Sequence, residues 1–305
     1  MKRLPIVIMM IVAGSFLAFK TMGTGARNTS TNPPSKYEKI LKLVGEMLSQ
    51  AHYSPQQLND SFSLKVFKKF LTDLDQEKNF YLHADMDALK KYETTIDDEI
   101  KGAPVEFFLA AGKTFTTRME EAAKIYTELL SKPFDFTKDE EVVLDGDKLN
   151  YSTSEAERTN RWRKKMKFMT LERYIDLMDT REKNKGKEGF VVKIDEELEK
   201  DARDKVKRII DRTFERYRFK FTDDDRFNLF VNAITTTMDP HTEFFPPVDK
   251  RYFDEEMSGR FYGIGASLQY DDGNIKIASV LSGSPASKSG ELQAGDVIQK
   301  VAQGK

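Results

Sequence analysis

Apolar residues recur along most of the chain at the three-and-four spacing of helices that bury one face. Tyr37, Ile40, Leu41, Val44 and Leu48 form the first stripe, and Ser35 followed by Glu38 is the residue pair that closes a capping box at its start. A second stripe follows Ser54-Pro55 through Phe62, Val66, Phe67, Phe70, Leu71 and Leu74, and a third runs through Met86, Leu89, Tyr92 and Ile96 behind Asp85 as a cap. The longest predicted helix spans 104–130, with Phe108, Phe115, Met119, Ala122, Tyr126 and Leu129 on one side and Pro133 just past its end. Ser154 and Glu157 open another, carrying Trp162, Met166, Met169 and Leu177, and 183–189 reads as a Lys/Gly-rich loop. Leu198, Ala202, Val206, Ile209, Phe214 and Tyr217 mark a helix over 196–219. Thr222 with Asp225 then starts a last one through Phe227, Phe230, Val231 and Ile234, stopped at Met238-Asp239-Pro240. Between the helices, Glu140, Val142 and Leu144 alternate ahead of Asp145-Gly146, which leaves a loop and a small hairpin both open over 136–150.

The period changes in the last quarter. Gly263 and Gly265 flank Ile264 at the mouth of an alternating strand, and glycine there lets the backbone turn and present successive N–H groups to an anion. Ile275 and Ile277 alternate with Lys276 as a second strand after the Asp271–Gly273 turn. Pro285 and Ala286 begin a short helix that Gly290 ends, and Gly295-Asp296 turns the chain into a third strand through Val297, Ile298 and Val301.

Residues 1–26 follow neither pattern. Lys2 and Arg3 precede an apolar run from Leu4 to Phe19, and small residues follow at Gly23, Thr24, Gly25 and Ala26, as in an export signal. The run is short beside the ~20 residues of a spanning helix, with an uncleaved membrane anchor as the alternative. Polar, proline-punctuated 27–34 reads as a linker.

Composition then bounds the chemistry. A chain of 305 residues, 39% hydrophobic and 32% charged, is large enough for folded domains, and its formal net charge of -1 gives no case for a nucleic-acid partner. Arg158, Arg161, Arg163, Lys164, Lys165, Lys167 and Arg173 make one basic segment, read as a solvated helix face because no aromatic stacking platforms are interleaved. With no cysteine, disulfides and thiol nucleophiles are excluded. His52, His83 and His241 are widely separated and form no HExxH or clustered ligand spacing, so neither a metal nor another cofactor is predicted. No GxSxG elbow supplies a serine for Asp239 and His241.

The order GIGASL, then SPASKSGELQAGDVI, resembles the first half of a PDZ domain, specifically that of the carboxy-terminal-processing, or tail-specific, serine proteases (peptidase family S41). SLKVFKKFLTDLDQEKNFYLHADMDALKKYE is similar to their N-terminal helical domain, and MDPHTEFFPP to the segment joining that domain to the rest. The resemblance implies a mainly α fold: a multi-helical domain over 35–237, a junction over 238–257, and a partial β-rich PDZ domain (α+β) over 258–305. It further implies that Gly263, Ile264, Gly265 and Ala266 hold a substrate's terminal carboxylate, and that Ser267, Leu268 and Gln269 pair with the bound peptide by strand addition. The partners implied are polypeptides with a free, apolar C-terminus, in the periplasm or at the outer face of the inner membrane. Family members cleave with a serine nucleophile and a lysine base in motifs that follow the PDZ domain, and no serine here has a lysine three residues on. The chain is therefore expected to be the inactive N-terminal part of an endopeptidase. Two alternatives stay open: a non-catalytic peptide-binding adaptor and a purely structural helical protein.

Overall fold

The computed structural model describes residues 35–258, 263–271 and 274–302. The expected leader and the 27–34 linker lie outside these residues, as does most of the turn between the first two strands. Among the described residues no helix is long and apolar enough to cross a membrane.

Among the described residues eight α-helices precede the junction: α1 (Lys36–Gln50), α2 (Asp60–Leu74), α3 (His83–Leu89), α4 (Ile96–Ile100), α5 (Phe107–Leu129), α6 (Glu155–Asn184), α7 (Asp195–Phe219) and α8 (Asp223–Met238). Their starts follow local chemistry. Ser35 and Glu38 close the expected box on α1, Thr222 and Asp225 close that on α8, and the Ser154 hydroxyl accepts the Glu157 N–H at the head of α6. At the far end of α8, the Gln56 amide donates to the carbonyls of Thr237 (2.8 Å) and Met238 (2.6 Å), satisfying acceptors that a helix C-terminus leaves open. The predicted stripes meet in one core, where Phe70 and Phe108 each lie against Phe230 and Tyr37 packs on Phe227.

Several expectations change. Asp85 is not the cap of α3. Leu82 holds that position in extended backbone, while the Asp85 carboxylate accepts the Leu82 N–H at 2.8 Å and binds Arg118 through two bonds of 2.8 and 2.9 Å. The third stripe is not one helix: α3 tightens into a 3-10 turn at Lys90–Tyr92 before α4 starts. Among the described residues the longest helix is α6 with 30 residues, against 23 in α5. Of the two readings for 136–150 the loop holds, with a 3-10 turn at Gly146–Lys148 and no strand. Nor is the basic segment a purely solvated face. Arg158 is buried, donating to the Phe80 carbonyl (3.0 Å) and to Glu121 (2.6 Å), and Lys167 is buried against Glu140 (2.7 Å).

Between α2 and α3 the chain dives inward. Asp75, buried at the end of α2, accepts the N–H of Asn79 on one oxygen (2.9 Å) and those of Phe80 (3.0 Å) and Tyr81 (2.9 Å) on the other. Phe80 and Tyr81 are thereby held in the core, where the Tyr81 hydroxyl donates to the Ala111 carbonyl of α5 at 2.8 Å and the Trp162 indole donates to the Asn79 carbonyl at 3.0 Å. Burial pushes the Asp75 carboxyl above its ordinary range, opposed by those three N–H groups.

The junction is structured too. Asn232 of α8 donates its amide to the Phe244 carbonyl (3.1 Å) and accepts the Phe244 N–H (2.8 Å). A further helix, α9 (Pro247–Ser258), runs through the expected junction and was not predicted there; proline with its fixed φ suits the first helical position. Beyond it lie β1 (Ala266–Asp271), β2 (Asn274–Val280), α10 (Pro285–Ser289) and β3 (Val297–Ile298), the strands forming an antiparallel sheet in the order β1-β2-β3. The third strand is shorter than expected and stops before the exposed Val301.

Glu99 supplies a pH signature. This buried residue of α4 caps α5 from outside, one oxygen accepting the N–H groups of Glu106 (3.0 Å) and Phe107 (2.8 Å), while the other is buried without a partner. Burial pushes its pKa from 4.5 up to about 7, against the pull of the two N–H groups. A carboxyl with a folded pKa above its unfolded one stabilises the fold most below pH 4.5 and loses that contribution as pH climbs through about 7. Urea midpoints near pH 5 and near pH 8 should therefore show Glu99→Gln gaining on the wild type by about 1–2 kcal/mol at the higher pH. A variant whose midpoint tracks the wild type at both values would remove Glu99 as the cause.

Candidate functional site

Gly265 stands at the head of β1 with φ of +74°, in the left-handed region. Its carbonyl accepts the Leu281 N–H at 2.8 Å and the Ser284 hydroxyl at 3.2 Å, and the preceding Ile264 carbonyl accepts the Ala286 N–H at 2.9 Å. Both carbonyls therefore turn toward the chain that enters α10. A Cβ on Gly265 would meet the Ser284 Cβ at 2.1 Å, so conformation and space both exclude a side chain here. Around the neighbouring Gly263, no atom of the described residues beyond its chain neighbours lies within 4 Å of a built Cβ. Among the described residues, neither the Ile264 N–H nor the Gly265 N–H finds a backbone acceptor.

Ser284 is placed by its own local chemistry. It is the N-cap of α10, its hydroxyl accepting the Ser287 N–H at 3.2 Å, with Pro285 in the first turn and left-handed Gly290 closing the helix. One side chain thus starts a helix and buttresses the glycine turn. The pairing of Ser284 with Gly265 was not legible beforehand, although Ser284-Pro285 is a recognisable helix start.

From Ala266 the chain runs along β2 in register Ala266↔Val280 and Ser267↔Ser279, then Leu268↔Ile277 and Gln269↔Lys276. The shift leaves Ala278 as the extra residue of a bulge in β2, the kind of irregularity that sharpens the twist of a strand pair. The other edge of β1 has no strand beside it among the described residues. Alternation puts Leu268 and Tyr270 on the face shared with Ile275 and Ile277 across the pair, and Ser267 and Gln269 on the opposite one. Ile277 is buried, while Leu268 is 51% exposed and Tyr270 67% exposed.

All seven sequence-selected residues thus fall in one continuous segment: Gly263, Ile264, Gly265 and Ala266 make the turn, and Ser267, Leu268 and Gln269 make the start of the open-edged strand. The histidines gather no catalytic set. His241 is exposed beside Asp239 at 3.1 Å, His83 pairs with Asp87 at 3.0 Å, and His52 shares a 2.8 Å hydrogen bond with Thr242. Among the described residues no cluster of potential metal ligands occurs.

Residues 44–248 match the family model described as the tail specific protease N-terminal domain, and residues 253–304 match the PDZ domain. The chain is 28% identical over 266 residues to the tail-specific protease of Haemophilus influenzae, an alignment covering 86% of this chain and 35% of that protein. It is 32% identical over 114 residues to a probable CtpA-like serine protease of Staphylococcus haemolyticus, covering 34% of this chain and 22% of the relative. Against the carboxy-terminal processing protease CtpA of Bacillus subtilis the identity is 36% over 85 residues, covering 27% and 18%. The chain therefore spans about a third, or less, of the length of these curated relatives.

The glycine turn yields a paired test. Gly265→Ala combines a left-handed backbone with the Ser284 clash and is expected to destabilise the β1–α10 contact by at least about 1–2 kcal/mol, whereas Gly263→Ala should stay within about 0.5 kcal/mol. Amide exchange at Leu281 and Ala286 reports the contact directly. Equal protection in the two variants would show that the turn tolerates a side chain.

Proposed function

The chain belongs to the tail-specific protease family, and on that footing we propose that its glycine turn and open β1 edge capture the C-terminal tail of a polypeptide substrate. We take 35–237 as a helical unit, 238–257 as its junction and 258–305 as the part of a PDZ domain that carries this edge. The observation that carries the reading is the continuity of a turn with a left-handed glycine and a strand edge that has no strand beside it among the described residues. The carboxylate of a tail would accept the N–H groups around Ile264, Gly265 and Ala266. The tail's backbone would then add to β1 beside Ser267, Leu268 and Gln269, as in recognition by strand addition. Half-exposed Leu268 favours an apolar residue on the incoming strand.

Cleavage is assigned to parts of the whole protein outside residues 1–305: a serine nucleophile activated by a lysine whose neutral form is favoured by burial. Here the described residues hold the substrate and do no bond chemistry. Strand addition fixes the tail's direction and register, and so lowers the entropic cost of presenting a more distant peptide bond. The leader at 1–26 is proposed to export the protein, which would place its substrates in the periplasm or at the outer face of the inner membrane.

Affinity should depend on the free carboxylate. A fluorescent peptide with an apolar, free C-terminus is expected to bind the whole protein about 10–100-fold more tightly than the same peptide amidated, the scale of losing hydrogen bonds to a charged group. Anisotropy titration measures both, and equal affinities would end the carboxylate assignment.

A further inference from the structure

Apolar cross-strand rows on the sheet run outward to the open edge of β1. Tyr270 is paired with Ile275, and Ile275 in turn with Ile298 of β3, so one row crosses all three strands of the sheet. Leu268 and Ile277 make the neighbouring row, and paired positions put their side chains on one face. Exposure rises along the first row toward the edge: Ile298 is half-buried, Ile275 is 45% exposed and Tyr270 67% exposed. Among the described residues no hydrogen bond or ring contact engages the Tyr270 side chain.

The direction of an added strand follows from the tail capture proposed above, on which this inference rests. A carboxylate held by the N–H groups at the head of β1 leaves the rest of the tail to run back along the strand, antiparallel to it. Its last residue then lies opposite Ala266, its third-last opposite Leu268 and its fifth-last opposite Tyr270. The second-last and fourth-last lie opposite Ser267 and Gln269, on the other face. β1 extends over Ala266–Asp271, so the whole span has backbone to pair with.

We propose that Tyr270 is a specificity-determining residue of this site, reading the fifth residue from a substrate's C-terminus and favouring an aromatic or β-branched apolar side chain there. Such a residue extends the Ile298–Ile275–Tyr270 row by one strand. Aromatic rings opposite aromatic or β-branched side chains are among the favourable cross-strand pairs, and a tyrosine can keep its hydroxyl in water while its ring is covered. The occupant of the row is the tail itself, because the edge and register that hold its end also carry its fifth-last residue to Tyr270. The substrate class is thereby narrowed to polypeptides whose C-terminus is extended over at least five residues.

The test compares N-terminally labelled peptides, longer than the site and with a free apolar C-terminus, that carry Phe or Ala at the fifth-last position. Titrated into the whole protein by anisotropy, the Phe peptide should bind about fivefold more tightly, whereas the same exchange at the fourth-last position should change affinity by less than about twofold. Tyr270→Ser should bring the fifth-position ratio within about twofold, and Tyr270→Phe should keep it, since the ring and not the hydroxyl makes the contact. Undiminished discrimination between free and amidated peptide shows that the turn is intact in Tyr270→Ser, and the wild-type comparison stands without that variant. Equal affinity of the Phe and Ala peptides for the wild type overturns the proposal and leaves Tyr270 to solvent or to another part of the whole protein. A fivefold ratio that survives in Tyr270→Ser overturns it as well, by placing the contact on another residue. Failure of tail capture reads differently: amidation would then cost no affinity, and the register behind the Tyr270 assignment would fall with it.

Discussion

Three backbone N–H groups converge on the carboxylate of Asp75, and the order of the helical region depends on that convergence. A carboxylate taken from water is costly unless its lone pairs are used, and a loop driven into a core is costly unless its amides are used. Asp75 meets both requirements at once. With the loop held, Phe80 stacks edgewise on Phe115 and reaches Phe214, Tyr81 bonds to α5, and Trp162 and Arg158 of α6 bond back to the loop's carbonyls. Helices that are distant in sequence are thereby tied to one short segment. Removing the carboxylate would strand three amides in an apolar interior, a larger loss than a single surface bond.

The expectations that hold are those whose causes lie within a few residues. Capping boxes at Ser35 and Thr222, the apolar stripes of α2 and α8, and the short helix from Pro285 to Gly290 are written in local spacing, and local spacing is what a sequence displays. Asp75, Glu99 and Arg158 are different. Each is charged, which by itself reads as exposed; Arg158 is buried on Phe80 and Glu121, far along the chain, while Asp75 and Glu99 are buried on the backbone N–H groups of the loops that follow them, which side-chain spacing does not display. The helix that Pro247 opens is not foreseen, because proline's fixed φ suits the first turn of a helix and a stiff connection alike. At the candidate site, the glycine turn and the alternating strand are visible in advance, but the serine that makes Gly265 obligatory is not, since nothing near Ser284 points back across the intervening strands.

Sheet and helices use opposite logic. In the helical region polar backbone is closed off by caps and side chains, whereas β1 keeps one edge of its peptide groups without a strand beside it among the described residues. An edge of that kind invites adventitious pairing. Here the adjoining turn adds direction: its carbonyls are occupied by Leu281, Ser284 and Ala286, so the N–H side is what it offers. On the proposed reading, a strand arriving at this edge would meet donors at one end and a pleated ladder thereafter, which would give the encounter polarity and register.

The Asn232 amide, hydrogen-bonded to both the N–H and the C=O of Phe244, has a mechanical meaning. Any tension drawn along the chain from the sheet side reaches the helical region at that residue. Both bonds belong to the same pair of residues, so they bear the load together and do not peel one after the other. The force then passes into the middle of α8, whose Phe230 and Ile234 are rooted in the core, while the helix's last turn stays unloaded and keeps its Gln56 cap. Pulling on the chain from the sheet side would thus strain a clasp before it could unwind a helix.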